Sequence, residues 1–171
     1  PRILLLAGFC CQAIAGWQMA QMGIDVVLWD ISGPLFLQGV GVGLLWVPLT
    51  LVTFATLKPE YLAEGSSIFH FFRNMGSSIH ISLSIAVVMR MKQSSYSEMT
   101  SRVTPFNESF SLPWSAGAWD IETTKGIAAI SKEMGRQAIM IGYIDSFYFF
   151  VGTALLAIPL ISLVRWTKQV H

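Results

Sequence analysis

Residues 65–90, GSSIFHFFRNMGSSIHISLSIAVVMR, decide the fold. As a helix this stretch is long enough to cross a bilayer, because about 20 residues rising about 1.5 Å each cover the hydrocarbon core. Its interior is nevertheless polar. Ser66, His70, Arg73, Ser77, His80 and Ser84 recur at helical spacings of four and three and form one stripe, whereas Phe69, Phe72, Ile79, Leu83 and Ala86 lie largely away from it. An ionisable group at membrane depth costs at least about 2.5 kcal/mol on insertion scales, so the stripe must turn toward a bundle interior or a watery cavity. His70, Arg73, Asn74, Ser77 and His80 are therefore the candidate pathway or gating residues of this helix.

The rest of the chain agrees with a membrane setting. It has 171 residues, of which 53% are hydrophobic and 12% charged, against about 25% charged in an ordinary soluble domain. The expected fold class is all-α: a polytopic membrane protein fragment with about four transmembrane helices and a long polar loop containing an amphipathic helix. A net charge of +1 with scattered basic residues gives no footing for nucleic-acid binding. Cys10 and Cys11 are adjacent, point in different directions on a helix, and read as small core residues. The chain begins at Pro1 with an apolar run and no charged leader, which predicts a piece of a longer protein cut at its N-terminal side.

Working outward, residues 1–90 hold three predicted transmembrane helices, at about 3–22, 33–57 and 66–90. Trp17 suits the headgroup level at the end of the first. Residues 18–32 connect it to the second and carry Asp25 and Asp30. In the second, Gly39 and Gly43 make a GxxxG pair, read as a close helix contact or as a point of substrate contact. Pro48 removes a backbone donor and predicts a kink, and Thr50 and Thr53 are placed to satisfy freed backbone groups or to line a path. The tight link Lys58-Pro59-Glu60 makes the second and third spans antiparallel neighbours.

Residues 91–140 are read as a polar loop. Within them Ile127, Ile130, Met134 and Ala138 mark an amphipathic helix over 121–140. The sequon Asn107-Glu108-Ser109 is short enough to arise by chance. Residues 141–171 hold the last transmembrane helix, flanked by Tyr143 and Trp166, with Asp145 one turn inside its start, a bend expected at Pro159 and a basic tail from Arg165 to Lys168. A bare count of basic residues places the long loop in the cytoplasm.

Several strings are familiar together. GPLFLQGVGVGLLWVPLTLVTFATLKPE, then EGSSIFHFFRNMGSSI, then a long polar loop, then RQAIMIGYIDSFYFF resemble the C-terminal region of the fourteen-helix EmrB/QacA-type multidrug:proton antiporters of the major facilitator superfamily. The most diagnostic pieces are Gln38-Gly39 before Pro48-Leu49-Thr50, Arg73 in the striped helix, and Gln137-Ala138 before Tyr143, Asp145 and Phe147. The resemblance implies the last four helices of a transporter, with both ends of the piece cytoplasmic and residues 91–140 extracytoplasmic, against the charge count. It implies efflux of small amphipathic or cationic compounds coupled to proton influx, by alternating access of this part against a missing N-terminal half of the same chain. It also implies a multi-pass protein of the bacterial inner membrane, in contact with lipid, with a periplasmic adaptor and an outer-membrane channel as partners where the host has two membranes. Protons would be the coupling ion and no other cofactor is expected. Where family members commonly carry a small residue and a Gly around 77–80, this chain has His80.

The chemistry that the residues themselves allow is narrower. A proton-coupled carrier needs a group that titrates while exposed to each side in turn, commonly a buried carboxylate. The predicted spans hold none at mid-membrane. Asp145, near an outer edge, fits either a structural hydrogen bond or a coupling role. His80 fits a pH-sensing role or a neutral hydrogen bond between helices, and His70 a structural one. Arg73 does not readily deprotonate and is expected to pair with an acid or with helix-end carbonyls, holding one state closed. No metal-ligand spacing, P-loop or nucleophile motif points to an enzyme. The competing reading is a four-helix membrane scaffold or accessory subunit whose polar stripe only holds helices together.

Overall fold

The computed structural model describes residues 2–55, 57–104 and 119–163. Four α-helices follow one another: α1 (Arg2–Ala20), α2 (Leu28–Phe54), α3 (Leu62–Arg102) and α4 (Thr124–Leu163), with a single 3-10 turn, Pro59–Tyr61, leading into α3. Among the described residues there is no strand. Of the described helices, three are long and apolar enough to cross a membrane, Arg2–Ala20, Leu28–Phe54 and Thr124–Ile161. The striped helix α3 is longer than any of them, at 41 residues, but its polar side chains keep it out of that group.

The helix ends follow from local chemistry. α2 starts at Leu28 rather than 33, because the Asp30 carboxylate accepts the Val27 backbone N–H at 3.1 Å and caps an exposed first turn. It ends before Lys58, which is extended as the residue preceding Pro59 must be. α4 is capped by Thr123, whose Oγ1 accepts the Gly126 N–H at 3.2 Å.

Two further boundaries depart from expectation. The third predicted span does not stop at 90: α3 continues through residues 91–102, where the composition predicts a loop. That segment is rich in serine but contains neither Gly nor Pro, and Met91, Lys92, Gln93, Glu98 and Met99 all favour helix. Its polarity reports contact with water, not loss of helix. Likewise the amphipathic stretch and the last predicted span form one continuous helix of 40 residues. The sequon at 107–109 and the basic tail with Trp166 lie outside the described residues.

The chain divides into two compact units, Pro1–Ser84 with Phe147–His171, and Ile85–Ser146. In the first, α1 is the most enclosed element, with Leu5, Ala13, Ala15, Met19 and Ala20 buried. Its crossing with α2 is close and antiparallel. A methyl group added at Gly8 would lie 2.7 Å from Leu45, and one added at Gly41 would lie 3.1 Å from the Cys11 Cβ and from the Gly8 carbonyl. The contact with α1 falls between the two expected glycines: among the described residues Gly39 and Gly43 have nothing within 4 Å of a would-be Cβ, and Gly41 makes the contact. Residues two apart on a helix sit about 200° apart, so Gly41 faces α1 only if its two neighbours in GVGVG face away. Gly16 meets Phe150 and Val151 of α4 in the same way.

Pro48 is buried in α2, which continues as helix through it. Thr50 Oγ1 donates to the carbonyls of Val47 and Trp46 at 2.9 and 3.1 Å, and Thr53 Oγ1 to that of Leu49 at 2.8 Å. Both threonines thus serve their own helix. Ile3, Trp29, Phe36 and Leu156 stand exposed, as side chains facing lipid do. In the second unit, Tyr96 and Ser131 share a hydrogen bond of 2.9 Å between α3 and α4, and Ile130 and Ala138 are buried. Arg136 pairs with Glu133 at 2.9 Å one turn apart.

Candidate functional site

The stripe is built on the part of α3 that lies in the first unit. Two contacts set that part against α2: Phe69 meets Phe54 edge-on with ring centroids 5.6 Å apart, and the Arg73 guanidinium lies 4.3 Å from the centre of the Trp46 ring. A third sets it against α4. The His80 ring stacks on Phe149 at 5.5 Å with an interplanar angle of 17°, and meets Phe150 edge-on at 6.1 Å.

These contacts correct two expectations. Arg73 takes an aromatic face in place of an acid or a helix-end carbonyl. A guanidinium is weakly hydrated and planar, so the indole face serves it where no carboxylate stands nearby. His80 sits between helices, but through ring stacking and not through a hydrogen bond.

The stripe residues are exposed or half-buried. His70, Arg73, Asn74 and Ser77 are exposed and His80 is half-buried. Ser77 Oγ donates to the Asn74 carbonyl at 2.9 Å, so its hydroxyl proton is spent on its own helix while its lone pairs remain free. Asp145 is half-buried on α4 in the second unit. The arrangement presents one cation, two imidazoles, an amide and a hydroxyl along roughly 15 Å of helix. Such a surface can bind polar groups of a solute or line a wet cavity; it offers no nucleophile and base in contact.

Sequence reasoning passed over a second set of polar groups in the first unit. Gln12 on α1 is buried at 5% exposure and donates from Nε2 to the Gln38 carbonyl of α2 at 3.1 Å. Near the end of α1, Gln21 donates to the Tyr148 hydroxyl at 3.2 Å, and Trp17 meets the Tyr148 ring edge-on at 5.8 Å. The signal for Gln12 was present: an amide in the middle of the apolar run RILLLAGFCCQAIAGWQMA.

An all-α chain with three apolar spans and a long helix carrying polar groups at membrane-spanning spacing belongs to the class of polytopic helical membrane proteins. The particular likeness comes from curated relatives. The chain is 25% identical to the multidrug export protein EmrB of Haemophilus influenzae over 86% of its own length and 29% of the relative's. It is 26% identical to EmrB of Escherichia coli K12 over 75% of its length and 25% of the relative's, and 25% identical to the fatty acid resistance protein FarB of Neisseria gonorrhoeae over 98% and 32%. The chain is thus similar over most of its length to proteins named for multidrug export and for fatty acid resistance, and spans about a quarter to a third of the relatives it matches. No family model matches it, and no solved structure does.

Proposed function

We propose that this chain is the C-terminal part of an exporter that moves small amphipathic or cationic compounds outward across the bacterial inner membrane by alternating access, coupled to proton influx. The observation that carries the reading is the exposed stripe His70, Arg73, Asn74 and Ser77 on a helix accompanied by three apolar spans. Exposed ionisable groups on such a helix need a watery cavity or a facing helix bundle, and a carrier with two halves supplies both. The names of the relatives support drug export as the cargo class. The protein acts in this reading without enzymatic chemistry, with protons as the coupling ion, lipid and the remaining helices of the longer chain as its surroundings, and an adaptor and outer-membrane channel as further partners.

The test is drug accumulation in cells carrying the full-length protein. Accumulation should fall relative to cells lacking it, and should rise again when the proton gradient is dissipated. Equal accumulation with and without the protein would refute export, and export that survives loss of the gradient would refute proton coupling alone.

A further inference from the structure

Two contacts fix the register of α2 against α3, Phe54 with Phe69 and Trp46 with Arg73. Continued in opposite directions at about 1.5 Å per residue, that register brings Gly43 level with Ser77 and Gly39 level with His80. Around the α2 axis Gly39, Gly43 and Trp46 fall within about 60° of one another, so both glycines share the side of α2 that carries the indole. All three are exposed, and a Cβ added at either glycine would meet nothing within 4 Å. The side of α2 that meets Arg73 is therefore bare backbone for two turns beyond Trp46. Arg73 is exposed at the end of that bare strip, about 16 Å from the start of α3 by helical rise, near mid-membrane if the helix spans. The carboxylates of the first unit, Asp25, Asp30, Glu60 and Glu64, sit in links or first helical turns. Among the described residues none of them pairs with Arg73. Its one neighbour across the helices, the Trp46 ring, attracts the charge but offers no lone pair, so the N–H donors of the guanidinium are left for another acceptor.

We infer that Arg73 and the bare side of α2 form a binding site for a flat aromatic carboxylate, whose acid group accepts from the guanidinium while its ring lies beside Trp46 and against the backbone at Gly43. The chemistry follows from what the two helices offer and lack. The stripe carries Arg73, His70 and His80 and no acid, so it attracts an anion and repels a cation. A guanidinium presents its donors in a planar fork that matches a carboxylate with two parallel hydrogen bonds. Asn74, the next residue, adds an amide donor, and Ser77 keeps only lone pairs because its hydroxyl proton goes to the Asn74 carbonyl. The absent side chains at 39 and 43 leave room for a ring and not for a second helix-sized side chain. The site deepens the export reading by naming a substrate class, and rests on that reading only in calling the occupant a substrate.

The experiment measures binding without transport, by equilibrium dialysis of the full-length protein in detergent, counting only binding in excess of protein-free micelles. The probes are 2-naphthoate and methyl 2-naphthoate, which share a ring system and differ in charge. At neutral pH the protein should bind the acid about tenfold more tightly than the ester, the ratio expected of one charge-assisted hydrogen-bonded pair. Arg73→Gln should bind the two alike, and Arg73→Lys, which keeps the charge and loses the fork, should retain part of the preference. Gly43→Leu leaves Arg73 in place and puts a side chain where the ring would lie. It should weaken naphthoate binding about tenfold or more while the protein still melts cooperatively, since position 43 opens on empty space, and this decides the matter should Arg73→Gln fail to fold. Equal binding of acid and ester by the unaltered protein, as a carboxylate from elsewhere in the longer chain seated on Arg73 would give, overturns the site. So does a preference that survives Arg73→Gln, or naphthoate binding undiminished in Gly43→Leu. None of these outcomes touches export, which the accumulation assay judges separately.

Discussion

At the scale of single residues, Arg73 and His80 of the stripe both meet neighbouring helices through aromatic faces. Arg73 lies over Trp46 at 4.3 Å, an exposed geometry in which a cation–π contact contributes about 0.5–1 kcal/mol. A double-mutant cycle with Arg73→Ala and Trp46→Ala, read by reversible unfolding of the full-length protein in mixed micelles, should therefore return a coupling of about that size. A coupling indistinguishable from zero would leave the Arg73–Trp46 contact without weight in the fold. His80 tests a different property. Its ring is nearly parallel to that of Phe149, an arrangement in which an aromatic pair contributes about 0.5–1.5 kcal/mol beyond its buried area. His80→Phe keeps a ring and should hold stability near that of the unaltered protein, whereas His80→Ala should lower it by about 1 kcal/mol or more. If His80→Phe were as damaging as His80→Ala, an imidazole nitrogen rather than the ring would be the group that matters.

At the scale of elements, the α1–α2 crossing depends on which glycine of GVGVG turns inward. A would-be Cβ at Gly41 lies 3.1 Å from the Cβ of Cys11, whereas positions 39 and 43 look into open space. Native disulfides join Cβ atoms about 3.5–4.5 Å apart, so a small relaxation of the crossing suffices to bridge 41 to 11. Gly41→Cys should lose two labelled thiols under mild oxidation, by pairing with the native Cys11. Gly39→Cys should lose none, and Cys10, which is exposed, should stay reactive in both. Pairing at 39 and not at 41 would reverse the assigned face of α2. The same crossing also makes a bulky residue at 41 costly. Gly41→Leu adds a side chain where two backbones touch, and overpacking of this kind typically costs about 1–3 kcal/mol, to be read in the same unfolding measurement.

At the scale of the whole molecule, what the sequence made legible was whatever rests on local pattern. The helical class, the antiparallel α2–α3 link at Pro59 and the stripe on α3 all follow from periodicity and from proline's fixed geometry. Contacts between helices were less legible. A GxxxG spacing says that one face is smooth without saying which neighbour uses it, so Gly41 was missed in favour of Gly39 and Gly43. Gln12 was overlooked because a buried amide draws its meaning from its partner on the next helix, which only three-dimensional packing reveals. The extent of α3 was hidden for a third reason: serine-rich polarity looks the same in a loop and in a helix bathed in water. Helix length carries the last prediction. At 41 and 40 residues, α3 and α4 each run about 60 Å, twice the hydrocarbon thickness of about 30 Å. Each must therefore leave the bilayer or tilt far beyond the usual range of about 0–40°, and the polar ends, 91–102 of α3 and 124–136 of α4, are the parts suited to water. With single cysteines in a full-length protein freed of its own, Ser94→Cys and Lys132→Cys should react fast with a membrane-impermeant maleimide, and Leu83→Cys and Leu156→Cys, both exposed in the chain but set in apolar surroundings, should not. Reaction from the outer face alone would place these helix ends outside the cell membrane, as the proposed exporter requires, while reaction from the cytoplasmic face alone would restore the orientation given by the charge count and invert the carrier.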